Sequence, residues 1–303
     1  MLGAMLDVFL DVVLPVAVAA LIGGALGRWR GIPVDTPSAL TFYIFAPALV
    51  FNAMSKTTVS TEDTGAVVAV LLASFAAMYA ASLLWSLLRG HDARMRAAVA
   101  TAATTPNVGN MGLPVSQLAF GDLGLQIAVM NFVAGAVLVN TAGIAIAATA
   151  GGSRRDALLA PLKYPALYAA LAGAVVNVSG LHLPTAIDEP TATLGAAAIP
   201  TMLVVLGLQL SNLSLGEDVV DTVAVNAARL VIAPAAAWVC AEALSIDGVT
   251  RDTLIVLAAM PTAVSAIILA TTFSARPVFV TQVVVSSTLL SMLTLSVLIT
   301  LLR

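Results

Sequence analysis

Charged residues are scarce in this chain of 303 residues, where Asp, Glu, Lys and Arg together make up 10%. Soluble globular domains carry about a quarter of such residues, so the composition excludes that class. The net charge of −3 and the lack of any basic run argue against a nucleic-acid partner. The single cysteine, Cys240, cannot form a disulfide or a thiol metal cluster within one chain.

Catalytic motifs are also missing from the sequence. It contains no Gly-x-Ser-x-Gly elbow, no His-Glu-x-x-His pair and no phosphate-binding loop. The two histidines, His91 and His182, lie between apolar segments and lack the spacing of metal ligands. We therefore expect no enzyme activity, no metal site and no cofactor.

Apolar residues dominate instead, at 60% of the chain with a mean hydropathy of +1.03. A helix that crosses a bilayer needs about 20 mostly apolar residues, and ten segments meet this requirement. They span approximately residues 8–27, 36–55, 64–88, 94–120, 123–149, 164–181, 190–211, 221–244, 252–274 and 277–302. These runs are too long and continuous for barrel strands. The sequence therefore predicts an all-α polytopic membrane protein with ten transmembrane helices in a lipid bilayer.

Lysine and arginine residues are distributed unequally between the two sides of the predicted bundle. The side that carries both termini has three of the thirteen, the opposite side has nine, and Arg229 lies inside the eighth span. Loops rich in Lys and Arg remain in the cytoplasm. We therefore expect a multi-pass protein of the cell membrane, with both termini outside and the 149–163 loop cytoplasmic.

Prolines recur at similar places in the two halves of the chain. The pairs are Pro15 with Pro165, Pro47 with Pro200 and Pro106 with Pro261, at offsets of 150, 153 and 155 residues. Five spans per half is an odd number, so the halves would have opposite orientations in the membrane, as in many transporters. We predict two inverted five-helix repeats, residues 1–150 and 164–303, joined by a short loop, 151–163.

Two stretches of irregular sequence interrupt the fourth and ninth spans. Thr104–Pro114 combines Pro, Gly and Asn between apolar flanks, and Met260–Ser265 occupies the equivalent place in the second half. Irregular backbone at membrane depth is tolerated only where protein or a water-filled cavity surrounds it. We expect broken helices 4 and 9 to cross near the bilayer midplane, although Pro-kinked helices without a transport role are the simpler alternative.

The predicted crossing provides groups that recognise an anion. Each break starts a half-helix whose first amides lack acceptors within the helix, and such N-termini favour negative charge. Polar side chains and glycines at the breaks add donors and space. The candidate substrate-binding residues are Asn107, Asn110, Thr105, Gly109, Gly112, Thr262 and Ser265, and the crossover prolines are Pro106, Pro114 and Pro261.

Ionisable residues are rare inside the spans. Arg229 has either a functional charge or a side chain that reaches up to the cytoplasmic surface. Asp11 is a candidate proton carrier, although its position near the end of span 1 also fits an interfacial residue. No carboxylate is evident at either break, which weakens the interpretation of the chain as a cation antiporter. Asn131, Asn140 and Gln209 are expected to join helices by hydrogen bonds.

Both interruptions resemble those of the auxin efflux carrier family, which includes plant PIN-FORMED carriers and bacterial malate or malonate permease-like proteins. Pro106–Pro114 is similar to the family's Asn/Gly/Pro crossover in the fourth helix, and Ala259–Ala263 resembles its ninth-helix crossover. Phe45–Phe51 is similar to the Pro-containing second helix of the family. The resemblance covers the whole chain.

The resemblance implies a scaffold domain and a transporter domain that holds both crossovers and moves in an elevator-like way. It also implies a homodimer and, as cargo, small organic anions. Asn107 matches the asparagine that contacts substrate in the plant carriers. We therefore expect a secondary transporter of a carboxylate or auxin-like acid. A sodium- or proton-coupled carrier of the bile acid or antiporter type, and a non-transporting ligand sensor, stay open as alternatives.

Overall fold

The computed structural model describes residues 2–150, 163–210 and 218–303, and these contain helices and no strand. The predicted loop 151–163 lies outside the described residues except for its last position. In chain order the helices are α1 (Gly3–Arg30), α2 (Asp35–Ser55), α3 (Thr61–Leu88), α4 (Ala93–Thr104), α5 (Val108–Ala150), α6 (Pro165–Ser179), α7 (Thr185–Leu210), α8 (Val219–Ala243), α9 (Gly248–Ala258), α10 (Ser265–Thr272) and α11 (Pro277–Leu302).

Seven of these helices are long and apolar enough to cross a bilayer. They are α1, α2, α3, α5, α7, α8 and α11. Helix α6 is apolar but shorter, at 15 residues. Large apolar side chains such as Leu21, Leu88 and Val178 project from the outer faces of the helices. The expectation of an all-helical, multi-pass membrane protein is thus confirmed in its general form.

Helix α5 changes direction at one glycine. Gly121 has φ 66° and ψ −154°, a conformation that side-chain-bearing residues avoid, and the chain on both sides of it is helical. The break divides α5 into residues 108–120 and 122–150. This position agrees with the predicted boundary between the segments 94–120 and 123–149.

The helices form two groups by packing. Helix α1 packs along α7, and α2 packs against α6 and α7, so that α1, α2, α6 and α7 form a four-helix group. Helices α3, α4, α5, α8, α9, α10 and α11 form a seven-helix group. The α1–α7 contact is close because Gly23 and Gly207 lie at the interface, where a Cβ on either would overlap the backbone of the facing helix.

The short helices α4 and α9 lie at the centre of the seven-helix group. Every residue from 97 to 105 is buried, and so are residues 259–263, which follow α9. The side chains around α4 come from α3, α8, α10 and α11 and include Met78, Phe279 and Val283. Irregular backbone beyond the ends of α4 and α9 is therefore enclosed by protein, as the membrane environment requires.

Candidate functional site

The two interrupted segments meet in the structure through backbone hydrogen bonds. Pro106 and Thr262 form an isolated antiparallel bridge. The Asn107 amide donates to the Pro261 carbonyl oxygen at 2.8 Å, and the Ala263 amide donates to the Thr105 carbonyl oxygen at 2.9 Å. We call these paired breaks, residues 105–107 and 259–264, the crossover. The expectation that the two breaks meet is confirmed.

Asn107 starts the half-helix that follows the first break. Its φ of −82° and ψ of 63° are not helical, and its side-chain Oδ1 accepts a hydrogen bond from the Asn110 amide at 3.2 Å. The chain then continues as a π-helical turn, Val108–Gly112, into the rest of α5. Asn107 is thus an N-cap, which satisfies one amide of the first turn. Its Nδ2 has no hydrogen-bond partner within the described ranges.

Arg229 binds the chain next to both breaks of the crossover. Its side chain is 3% exposed, and its Nη1 donates to Ala103 O at 2.9 Å. Nη2 donates to Ala258 O at 2.7 Å and to Met260 O at 3.0 Å, and Nε donates to Met260 O at 3.3 Å. Ala103 is in the last turn of α4, and Ala258 ends α9. The guanidinium therefore binds the C-terminal ends of both leading half-helices and does not reach up to the surface.

A cavity of about 580 Å³ opens beside the crossover. Seven of the sequence-predicted residues line it, and they come from both breaks and from α8. They are Thr105, Pro106, Asn107, Gly109, Asn110, Arg229 and Ser265. The volume is in the range of small-molecule sites. The structure therefore brings most of the predicted contact residues to one chamber, which we call the crossover cavity.

The other predicted residues lie away from the cavity wall. The Thr262 hydroxyl donates to Ala102 O at 2.9 Å and is fully buried. Gly112 packs against Leu257 and Met260, and Asp11 is an exposed residue of α1. The prolines Pro114 and Pro261 also do not line the cavity. Thr262 and Gly112 thus serve the packing of the crossover in this conformation.

Several wall residues were not expected from the sequence to face a ligand. Asn131, Asn140 and Gln209 line the cavity, and Gln209 Oε1 accepts a hydrogen bond from Asn110 Nδ2 at 3.2 Å. An aromatic wall completes the chamber, with rings contributed by Phe42, Tyr43, Phe75, Phe132 and Tyr164. The interruption of an apolar run at Asn131 and Asn140 is the sequence signal that could have found two of these residues.

Two polar side chains of the cavity wall have an atom without a hydrogen-bond partner among the described residues. The side chain of Asn107 is 4% exposed, and its Nδ2 has no hydrogen-bond partner among the described residues. The Thr105 Oγ1 is likewise buried and unpaired within that part of the chain. Of the described residues that line the cavity, none is acidic, and Arg229 is the one with a permanent charge. The chamber therefore combines apolar walls with donors and a positive charge.

Comparison with known proteins agrees with this architecture. The family model described as membrane transport protein matches residues 8–157 and 153–299. An uncharacterized transporter of Methanothermobacter thermautotrophicus is 27% identical over 293 residues, which cover 94% of this chain and 95% of that protein. An uncharacterized transporter of Methanocaldococcus jannaschii is 24% identical over 275 residues, which cover 87% of this chain and 89% of that protein.

The family assignment thus rests on almost the full length of the chain. The matched residues include every helix from α2 to α10, both breaks of the crossover and the wall of the cavity. The similarity to the family therefore extends over nearly all helices and is not limited to the short motifs at Asn107 and Pro261. The chain therefore belongs to the membrane transport protein family, the auxin efflux carrier family that its crossover motifs resemble, and it is a transporter and not an enzyme.

Proposed function

We propose that this transporter is a secondary carrier of a small organic anion, such as a carboxylate or an auxin-like acid. The observation that carries the proposal is the crossover cavity, where the unpaired Nδ2 of Asn107 and the charge of Arg229 occur without any acidic side chain in the described wall. A carboxylate offers acceptors to the Nδ2 donor, and the buried positive charge nearby favours an anion over a cation. The aromatic wall suits the apolar body that such an acid carries.

Helix ends add to the preference for an anion. The trailing half-helices start at Val108 and at Ser265, and both starting segments line the cavity. A helix N-terminus carries roughly half a positive charge. The two ends together would stabilise about one negative charge, in keeping with a bound carboxylate.

Ten membrane crossings in two inverted repeats form part of the proposal. Gly121 would separate the fourth crossing from the fifth, and α9 with α10 would form the ninth. Two ion pairs support this assignment of sides. Lys56 pairs with Asp188 at 2.7 Å on the proposed outer side, and Asp92 pairs with Arg276 at 3.7 Å on the proposed cytoplasmic side. Each pair joins chain segments that the ten-span order places on the same side.

Alternating access would come from movement of the two helix groups past each other. The crossover lies within the seven-helix group, whereas Phe42, Tyr164 and Gln209 reach the cavity from the four-helix group and its flank. Displacement of one group along the other would carry a bound anion across the membrane in an elevator-like way. The resemblance to the family adds a homodimer in the lipid bilayer, which light scattering of the purified protein would test.

A ligand screen followed by a flux measurement tests the function. Purified protein would be screened for thermal stabilisation by a panel of carboxylates, since specific binding stabilises the folded state. The best ligand, radiolabelled, would then be used for counterflow into proteoliposomes. We expect saturable counterflow without added Na⁺. Strict dependence on Na⁺ would indicate a coupled carrier of the bile acid or antiporter type, and binding without flux would indicate a sensor.

A further inference from the structure

One side chain, that of Arg229, binds three backbone carbonyl groups beside the crossover. Ala103 O, Ala258 O and Met260 O converge on one guanidinium from two different helix ends. Backbone carbonyl oxygens of this kind bind soluble monovalent cations in other membrane proteins. In transporters with broken helices, the C-terminal ends of half-helices and unwound carbonyls coordinate the coupling ion.

The electrostatics of the crossover require a positive charge at this place. The last turns of α4 and α9 each end with unpaired carbonyl groups and carry roughly half a negative charge. These two ends meet in a buried region, and no other charged side chain contacts them within the described part of the chain. Uncompensated carbonyls buried at membrane depth would destabilise the paired breaks.

Arg229 meets this requirement with the geometry of its side chain. Four of the five N–H donors of the guanidinium are used by the three carbonyl groups. The residue belongs to a π-helical turn, Ala228–Ile232, and such turns are frequent at functional sites. The planar fork of an arginine can join oxygens of two separate helix ends, which a point charge does less well.

We propose that Arg229 is a resident cation of the crossover, which takes the place of a soluble coupling cation and makes the carrier independent of Na⁺. The biological role of this resident cation rests on the proposed anion transport, but the experiment that tests it does not. With the carbonyl ends of the leading half-helices matched by Arg229, the positive N-terminal ends of the trailing half-helices, near Val108 and Ser265, remain to face the substrate. Arg229 is thus a positioning residue, since it holds both breaks in the arrangement that forms the cavity.

The test measures thermal unfolding of the purified protein without any substrate. Wild-type protein is expected to have the same unfolding midpoint in NaCl and in choline chloride at equal ionic strength. Arg229→Ala is expected to unfold several degrees lower in choline chloride. Na⁺ or millimolar methylguanidinium should raise the midpoint of this variant, because either cation can enter the vacated site. The matched control, Arg28→Ala, removes an exposed arginine of α1 and should respond to neither cation.

Three results would overturn the proposal. The first is a wild-type unfolding midpoint that is higher in NaCl than in choline chloride. The second is an Arg229→Ala midpoint in choline chloride equal to that of the wild type. The third is an Arg229→Ala midpoint that neither Na⁺ nor methylguanidinium raises. If Arg229→Ala does not fold, Arg229→Lys keeps the charge and should give a lower midpoint that is still insensitive to Na⁺. A Na⁺-dependent midpoint for Arg229→Lys would contradict the proposal. None of these readouts involves an anion, so the proposed substrate class can fail independently.

Discussion

Asn110 donates a hydrogen bond from Nδ2 to Gln209 Oε1 at 3.2 Å, across the boundary between the two helix groups. Asn110 follows the first break in the seven-helix group, and Gln209 lies near the end of α7 in the four-helix group. Both side chains line the crossover cavity. The proposed movement of one group along the other would have to break this bond, so we expect the bond to favour the present conformation.

A double-mutant cycle tests the contact between Asn110 and Gln209. The variants Asn110→Ala, Gln209→Leu and their combination would be compared by counterflow rate. We expect non-additive effects with a coupling energy of about 1 kcal/mol, since the two side chains share one partly buried hydrogen bond. As a control, Gln126→Leu removes a side chain that binds the loop residues Thr57 and Thr58. Effects of Asn110→Ala and Gln209→Leu that simply add would show that the bond is not a constraint on movement.

Gly109 leaves space that the cavity needs. A Cβ at this position would lie 3.0 Å from Cε2 of Phe132, so Gly109→Ala must displace the ring or narrow the chamber. We expect a counterflow rate about 10-fold lower and a folded protein, because a misplaced group at a binding site weakens productive binding. Gly65→Ala is the matched control, since nothing lies within 4 Å of a Cβ there. Equal rates for the two variants would contradict the assignment of Gly109 to the cavity wall.

Gly207 determines the distance between α1 and α7. Its missing side chain allows the backbone at Ala20 and Gly24 to approach closely. Gly207→Ala is expected to lower the free energy of unfolding by about 1–3 kcal/mol, the usual cost of overpacking a close contact. Thermal or denaturant unfolding in detergent would measure this loss. Gly3→Ala, with open space around it, should leave the stability unchanged, and a similar loss in both variants would contradict the packing argument.

The proposed orientation can be measured by cysteine labelling. Cys240→Ala removes the single native cysteine, and one new cysteine is then introduced as His182→Cys or as Arg94→Cys. Both positions are exposed. A membrane-impermeant maleimide added to intact cells should label the first variant and should label the second only after the membrane is permeabilised. The reverse pattern would invert the assignment, and labelling of both from one side would contradict the number of crossings.

The crossover was predictable because its chemistry is local in the sequence. Prolines at positions 106 and 261 remove backbone donors, and their similar places in the two halves indicated that the breaks would meet. The half-helix starts at Val108 and Ser265 lie within the ranges expected from the sequence. General features such as the helical class and the boundary near Gly121 follow in the same way from hydropathy and from a single glycine.

Contacts between residues that are distant in the chain could not be predicted from the sequence. Arg229 could have reached the surface, and only the fold brings it to Ala103 and Met260, which are 126 and 31 residues away. The Thr262 hydroxyl was expected to face a ligand, yet it donates to Ala102 O across the crossover. Gln209 was expected to join helices, and it does so, but it also faces the cavity. The sequence alone does not give this second role, because packing sets the rotation of a helix about its axis.

The central proposal is that an organic anion binds at the crossover through Asn107. The decisive measurement is counterflow of the identified carboxylate into proteoliposomes by wild type, Asn107→Ala and Asn52→Ala. Asn52 is the matched control, since its Nδ2 is bound to Ala48 O within α2 and it does not line the cavity. We expect the apparent affinity of Asn107→Ala to fall about 10-fold or more, as loss of a hydrogen bond to a charged group implies, with Asn52→Ala unchanged. Wild-type counterflow by a folded Asn107→Ala protein would contradict the proposed site.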